Sequence, residues 1–395
     1  MSRPNLLRIL LTAPVLLATV VGCVGDRAQS DASLGDLAGV VAHPVDPRPA
    51  VAPAPRIDVT WQSRLVDGDY LNWEPLEYSQ PQVACGHLVV VGTSKGDLIA
   101  VDRFTGAPVW SIHTGTRIDG SPTATADHIF VGNDAGEVRA VTCGGSTEWV
   151  ERVGGEIDGA IAVDEGVLYV QDSADTLIAL DAVDGNRLWD YQRPVPDYFT
   201  LKGASAPTVH GDHVFAGFAD GALVALNVED GSVAWQTDLS HGEEKFMDVD
   251  GAPLVVGDSV YAASYSGGLF AVSRKDGVVQ WRTDVTGASR VEAVDDLLYV
   301  TTSNRYAMAV DRTTGKVRWS VRHAEITPTA PTLTGDYLVY ASTDHAVYIF
   351  DRNVGYPLLK FDPAGGFNAP VTMHGAEGFL FSNGGVMYRF VMRAL

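Results

Sequence analysis

Gly96 to Trp110 reads GDLIAVDRFTGAPVW, and Gly221 to Trp235 reads GALVALNVEDGSVAW. Each is a glycine-led apolar run that ends in Ala-Val-Asp or a variant, passes through a tight turn and reaches a tryptophan. Further copies end at Trp149, Trp189, Trp281 and Trp319. A seventh, HAVYIFDRNVGYPLL, carries Leu359 in the tryptophan position, and an eighth, Gly385 to Phe390, stops short of its turn. Successive phrase-ending tryptophans lie 38 to 46 residues apart, the period of a four-stranded propeller blade.

The runs before the turn (LIAVD, LIALD, LVALN, LFAVS, AMAVD) are apolar on both alternating faces. A strand with one wet face would alternate, so these strands must be covered on both sides, as in radially packed blades. The Asp-x-x-Thr-Gly that follows is turn chemistry: a carboxylate accepts backbone N–H bonds, and glycine tolerates positive φ. The tryptophan fills the gap between blades. Burying about 150–250 Å² of ring at roughly 25 cal/mol/Å² is worth about 4–6 kcal/mol before entropy, so packing alone accounts for these residues.

The last copy supplies GVMYRF without a turn, whereas Asp58-Val59-Thr60-Trp61 near the N-terminus has the look of a missing outer strand. Pairing the two ends would leave no unpaired edge between blades. The expected fold is all-β, an eight-bladed β-propeller with four antiparallel strands per blade, closed by pairing of N- and C-terminal strands. A seven-bladed ring or a free N-terminal strand would refute it. Eight units of about forty residues leave no room for a second globular domain in 395 residues.

Residues 1–22 read as a secretion signal, with Arg3 and Arg8 ahead of an apolar stretch too short for a comfortable membrane span. The stretch ends in Val20-Val21-Gly22-Cys23, which resembles a lipobox and marks Cys23 for lipidation. Residues 23–56, rich in Ala, Pro and Asp, are expected to form a flexible tether, and 57–395 the propeller. Net charge is −21, and −23 without the signal, which argues against nucleic acid and against anionic headgroups. Cys85 and Cys143 fall in hairpin turns on one face of the ring at different radii. An oxidising compartment permits a bond between them.

Signals for catalysis are poor. The ten histidines are scattered, without HExxH or clustered Cys/His ligands. Gly203-Ala204-Ser205-Ala206-Pro207 precedes a strand, unlike a nucleophile elbow, and Asp248-Val249-Asp250-Gly251 lacks the remaining calcium ligands of an EF-hand. No catalytic residue, cofactor or metal is expected.

The links between a blade-ending tryptophan and the next strand-entry residue are mostly short, but Trp189 to Pro207 and Trp235 to Pro253 each span 18 residues, and Trp61 to Pro81 spans 20. The first two belong to consecutive blades, so they must be neighbours on one face, and long loops on a rigid scaffold are where binding is usually placed. They carry Phe199, Leu201 and Lys202, and then Phe246, Met247, Asp248 and Asp250. Apolar anchors ringed by charge fit a protein-binding patch; equally, the aromatics could plug the central channel.

The repeat resembles the PQQ-type propeller phrase. With the lipobox, the eight blades and the segments Phe199-Thr200-Leu201-Lys202-Gly203-Ala204-Ser205-Ala206-Pro207 and Asp248-Val249-Asp250-Gly251-Ala252-Pro253, the chain resembles the BamB-like lipoproteins of the outer-membrane barrel-assembly machinery. The resemblance runs from about Asp58 to Phe390. It implies a non-enzymatic scaffold, lipid-anchored at the outer membrane with the propeller in the periplasm, that binds the POTRA domains of a BamA-like barrel insertase and assists unfolded outer-membrane protein clients. Phe199, Leu201, Lys202, Asp248 and Asp250 would make that contact. Lys202 stands where the family typically has arginine and keeps the charge without the planar fork. A PQQ-dependent dehydrogenase is a second reading, but those enzymes are usually longer and use a vicinal cysteine pair, and no adjacent cysteines occur here. A propeller scaffold of another envelope complex is a third.

Overall fold

The computed structural model describes residues 40–43, 51–67, 76–196, 205–243, 245–288, 290–343, 346–363 and 365–393. The apolar runs form the third strand of each blade. In Asp97–Asp102, Leu98, Ala100 and Val101 have no exposed surface, and the second strand Leu88–Gly92 is buried along its whole length. The fourth strand alternates, as Pro108–His113 shows, because it lies at the rim with one face in water.

Eight antiparallel sheets result: six are built from four consecutive strands, and two also take a strand from the N-terminal end. Their innermost strands begin at Gln82, Thr123, Ala162, Thr208, Leu254, Glu292, Thr332 and Thr372, which number blades one to eight. Blade eight takes three strands from the C-terminal end (Thr372–His374, Glu377–Phe381, Val386–Arg393) and its outer strand, Arg56–Arg64, from the N-terminal end. The expected eight-bladed ring, closed by both ends of the chain, is what is found.

One joint repeats around the ring. In blades one to six an alanine of the third strand stands opposite the tryptophan of the fourth, as in Ala100↔Trp110 and Ala225↔Trp235, and a β-bulge beside that pair aims the indole sideways. The indole N–H then donates to a carbonyl in the next blade's last turn: Trp61 to Arg103 (3.0 Å), Trp110 to Cys143 (3.0 Å), Trp149 to Ala182 (3.2 Å), Trp189 to Val228 (2.9 Å), Trp235 to Arg274 (2.9 Å), Trp281 to Arg312 (3.0 Å) and Trp319 to Arg352 (2.9 Å). The ring lies against that turn's glycine. A Cβ on Gly277, whose φ is 73°, would fall 2.7 Å from the Trp235 ring, so both backbone and neighbour require glycine.

Leu359 breaks the series for a structural reason. It faces Ile349 in the register a tryptophan would occupy. The next blade, however, has no last turn: its third strand ends at Arg393 and its fourth begins at Arg56. An indole there would find no turn carbonyl and no turn glycine. The next junction, between blades eight and one, keeps its indole bond from Trp61 and adds charge. Arg389 replaces the small residue opposite Trp61, and Glu377 accepts from Arg389 (2.7 Å) and from Arg103 of blade one (2.8 Å).

The hairpin turns (first-to-second and third-to-fourth strand) share one face of the ring, called here the turn face. The second-to-third turns and the links between blades share the other, the link face. On the turn face the Sγ atoms of Cys85 (blade one) and Cys143 (blade two) are bonded, with Cα atoms 6.0 Å apart. Across the channel, Arg290 donates to Gln80 Oε1 (3.3 Å), linking blades six and one. Within the stretch read as a tether, Val40–His43 forms a fifth strand, antiparallel to the outer strand Val317–His323 of blade six.

Candidate partner-binding surface

The link from Trp235 to Pro253 is strung between two second-to-third turns by its backbone. Val249 N–H donates to Phe218 O of blade four (3.3 Å), while Asp248 O accepts from Tyr265 N–H (2.9 Å) and Phe246 O from Ser266 N–H (3.1 Å) in blade five. Ser264 Oγ holds Met247 O (2.7 Å). These bonds satisfy a buried peptide run without regular structure. They turn Met247, Asp248 and Val249 inward and leave Phe246 outward, 40% exposed. Phe246 has a left-handed backbone (φ 53°) and packs on Tyr265 with ring centroids 6.3 Å apart. The neighbouring link reaches this one where Ser205 Oγ donates to Gly251 O (3.2 Å), so the two long links are adjacent on the link face.

Of the residues expected to bind a partner, Phe199, Leu201 and Lys202 lie outside the described residues. Asp248 and Asp250 share one carboxylate cluster with Asp175 and Asp220. Asp248 is 1% exposed and therefore supports the surface from beneath, whereas Asp250 is half-buried at it. Burial first, then the charges of Asp248 and Asp175, push the Asp250 carboxyl up to about 8. Asp175 is pushed up to about 6, by burial first and then by Asp220 and Asp248 against a bond from Ala219 N–H and the Arg193 charge. Arg193 binds Asp220 (Nε to Oδ2, 2.9 Å). The pocket favours positive charge on whatever meets it.

Sequence reasoning misses Asp175, although a signal is there. It occupies the phrase-leading position that Gly96, Gly136 and Gly221 hold in blades one, two and four, and it adopts φ 54°. A non-glycine in that region is a marker of a special position.

The acidic character continues toward blade two. Asp119, Asp134 and Asp158 each bring an oxygen to within 4.8 Å of the others, a spacing a cation could bridge. Asp119 is taken up by Arg117 (2.9 Å), and Asp134 and Asp158 also have partners. The link face from blade two to blade five is thus lined with aspartates, with exposed apolar groups at its edge: Phe246, and Leu76 and Tyr78 of the link into blade one.

A family model described as outer membrane protein assembly factor BamB matches residues 58–149 and 94–321. Curated relatives carrying that same description are 29% identical over 167 residues in Nitrosomonas eutropha (42% of this chain, 39% of the relative) and 26% identical over 232 residues in Shewanella oneidensis (54% and 53%). The matched part thus spans about two-fifths to a half of those relatives' length. Among solved structures, BamB from Moraxella catarrhalis superposes with TM-score 0.75 at 20% identity, covering 85% of this chain and all of that one. A quinohemoprotein alcohol dehydrogenase from Comamonas testosteroni superposes at 0.67 with 14% identity, covering 85% and 76%. At such identities the superpositions speak to the propeller fold alone, and it is the sequence-family match, spanning most of the ring, that carries kinship. The chain belongs to the BamB family of outer membrane protein assembly factors.

Proposed function

We propose that this chain is a non-enzymatic scaffold of the outer-membrane β-barrel assembly system, anchored to the outer membrane through a lipid on Cys23 with its propeller in the periplasm. Its link face at blades three to five docks the POTRA domains of a BamA-like insertase. There it assists delivery of unfolded outer-membrane protein clients. The observation that carries this reading is the pairing of BamB-family sequence with an acidic, aromatic-edged link surface at Asp250, Phe246 and Tyr265. Leu201 and Lys202 belong to the adjoining link, with Phe199 as an apolar neighbour. Asp250 and Phe246 supply contact, and Asp248 acts through them by shaping the loop and its field.

No nucleophile–base pair or cofactor cradle supports the dehydrogenase reading among the described residues, and likeness of fold to a quinohemoprotein does not transfer chemistry. A propeller serving a different envelope complex is tested by the same experiment. Intact protein is extracted from envelopes in mild detergent and captured, beside Leu201→Ala/Lys202→Glu and Phe246→Ala/Asp250→Lys variants. Co-capture of the insertase with wild type and its loss from both folded variants supports the reading. Capture undiminished by both variants sinks the interface, and a different partner in place of the insertase sinks the function.

A further inference from the structure

Buried side chains anchor the end of the link into blade one. Glu77 N–H donates to Asn383 Oδ1 in blade eight (3.2 Å), and the Glu77 carboxylate accepts from Ser94 N–H (2.8 Å) and Ser94 Oγ (2.6 Å) in blade one. Ser79 Oγ donates to Gly120 O (3.1 Å), and Gln80 N–H donates to Ser121 Oγ (3.1 Å). Glu77, Ser79 and Gln80 are buried, and Leu76 and Tyr78 are turned outward, 43% and 44% exposed. Arg117 of the next link holds the tyrosine. Its guanidinium lies 5.8 Å from the Tyr78 ring centroid, Nη2 donates to Leu76 O (3.2 Å), and Nε donates to Asp119 Oδ1 (2.9 Å). The Arg117 carbonyl accepts from Asp134 N–H (3.0 Å), which joins this ledge to the Asp119, Asp134 and Asp158 carboxylates. Three carboxylates against one guanidinium leave the ground beyond the ledge negative.

We propose that Leu76 and Tyr78 form a second docking site on the link face, for an extended polypeptide segment in which a lysine or arginine neighbours an aliphatic or aromatic residue. The apolar side chain packs on Leu76 and the exposed part of the Tyr78 ring, and the cation reaches the Asp119, Asp134 and Asp158 group. An apolar centre with a charged border is the make-up of a protein-binding patch. Side chains that project outward do not enclose a small ligand, and the carboxylates repel partners that carry phosphate. Charge complementarity selects a basic segment over an acidic one. Glu77, Ser79 and Arg117 already fix the ledge, so little conformational freedom is left to lose when a partner binds. A rigid, exposed tyrosine is also the kind of side chain on which binding energy concentrates. The surface at Phe246 and Asp250 belongs to blades four and five, on the far side of the ring from blade one. The ledge therefore does not rest on the insertase reading.

Fluorescence anisotropy on the full chain tests this, with a fluorescein-labelled Lys-Leu-Lys-Phe-Lys peptide as the probe. Wild type should bind it about tenfold more tightly than a Glu-Leu-Glu-Phe-Glu counterpart, and Leu76→Ser/Tyr78→Ser should lose about tenfold in affinity for the lysine peptide. Phe246→Ala, across the link face, should stay within about twofold of wild type. No binding to wild type, undiminished binding by the double variant, or an equal loss in Phe246→Ala overturns the proposal. Both serines replace exposed side chains, so the double variant should keep the wild-type melting midpoint. A second readout needs no variant. With p-benzoylphenylalanine in place of the probe's phenylalanine, irradiation should attach the peptide within residues 76–80 or 117–119, and attachment confined to other segments also overturns the proposal. The insertase takes no part in either measurement, so failure of the ledge and failure of the functional reading are separable.

Discussion

Replacing Asp250 by Asn should stabilise the protein above about pH 4, by an amount that grows as pH rises to about 8 and then levels off. In the folded state the Asp250 carboxyl titrates near 8 rather than 3.8, because burial and then the charges of Asp248 and Asp175 oppose its ionisation. Folding therefore binds a proton between those values, so the stabilisation is whole below about pH 4 and is lost as pH rises through 8. Each pH unit across the window is worth up to ~1.4 kcal/mol, an upper limit of ~5–6 kcal/mol over the interval. Asp250 is half-buried, and Asp248 and Asp175 share the field, so removing its charge recovers a fraction, about 2 kcal/mol at pH 9. At pH 4 the variant and the wild type should agree within ~0.5 kcal/mol. Urea unfolding at five pH values measures this, followed by tryptophan fluorescence, since seven of the eight indoles lie in the joints between blades. A variant less stable than wild type at pH 9 would falsify the reasoning, because it would show Asp250 ionised and paired with a cation. A gain independent of pH would point to packing rather than charge.

Other outcomes follow from the joints. Trp235→Phe keeps most of the burial and loses the 2.9 Å bond to Arg274 O, costing ~1 kcal/mol, whereas Trp235→Ala should cost ~3–5 kcal/mol; denaturant midpoints distinguish the two. Leu359→Trp should give no comparable gain, because blade eight has no turn to receive it; a rise above ~1 kcal/mol would contradict that account. The Cys85–Cys143 bond closes a loop of 58 residues, so the double serine variant should lose ~3–4 kcal/mol, and reductant should shift the wild type but not the variant. Glu377→Gln should cost ~1–2 kcal/mol at neutral pH, an ion-pair effect discounted for partial exposure. Burial opposes ionisation of Glu377, but Arg389 and Arg103 outweigh it and hold the carboxyl below its usual range. That stability is present above pH ~4.5 and lost on acidification below it, so the variant's deficit should vanish in acid; a deficit that persists there would assign the loss to packing.

The ring is legible because its phrase repeats a physical requirement, two covered faces, a tight turn and a large ring side chain, in a fixed order. Leu359 is visible as an exception but cannot be explained from sequence, since its cause is the missing turn between Arg393 and Arg56, far apart along the chain. The carboxylate cluster is half legible. Asp248 and Asp250 stand out in a long link, but their division into a buried support and a surface contact depends on backbone bonds to Phe218 and Tyr265. Asp175 arrives from another blade. The fifth strand on blade six escapes a reading of sequence because Val40–His43 is a four-residue run in a Pro- and Ala-rich setting, too short for a period-two signal and paired with a strand about 280 residues away.

The open joint at blade eight makes the position of the chain break a property written into the tryptophans. A circular permutant that joins Arg393 to Arg56 through an Asp-Arg-Thr-Thr-Gly turn would create a receiver for an indole at position 359. Opening the ring instead at the turn after Ser273 would remove the receiver of Trp235. Permutation of this ring therefore calls for two compensating substitutions, Leu359→Trp and Trp235→Leu. The eight blades are interchangeable as shapes, yet the sequence records which seam was left unsewn.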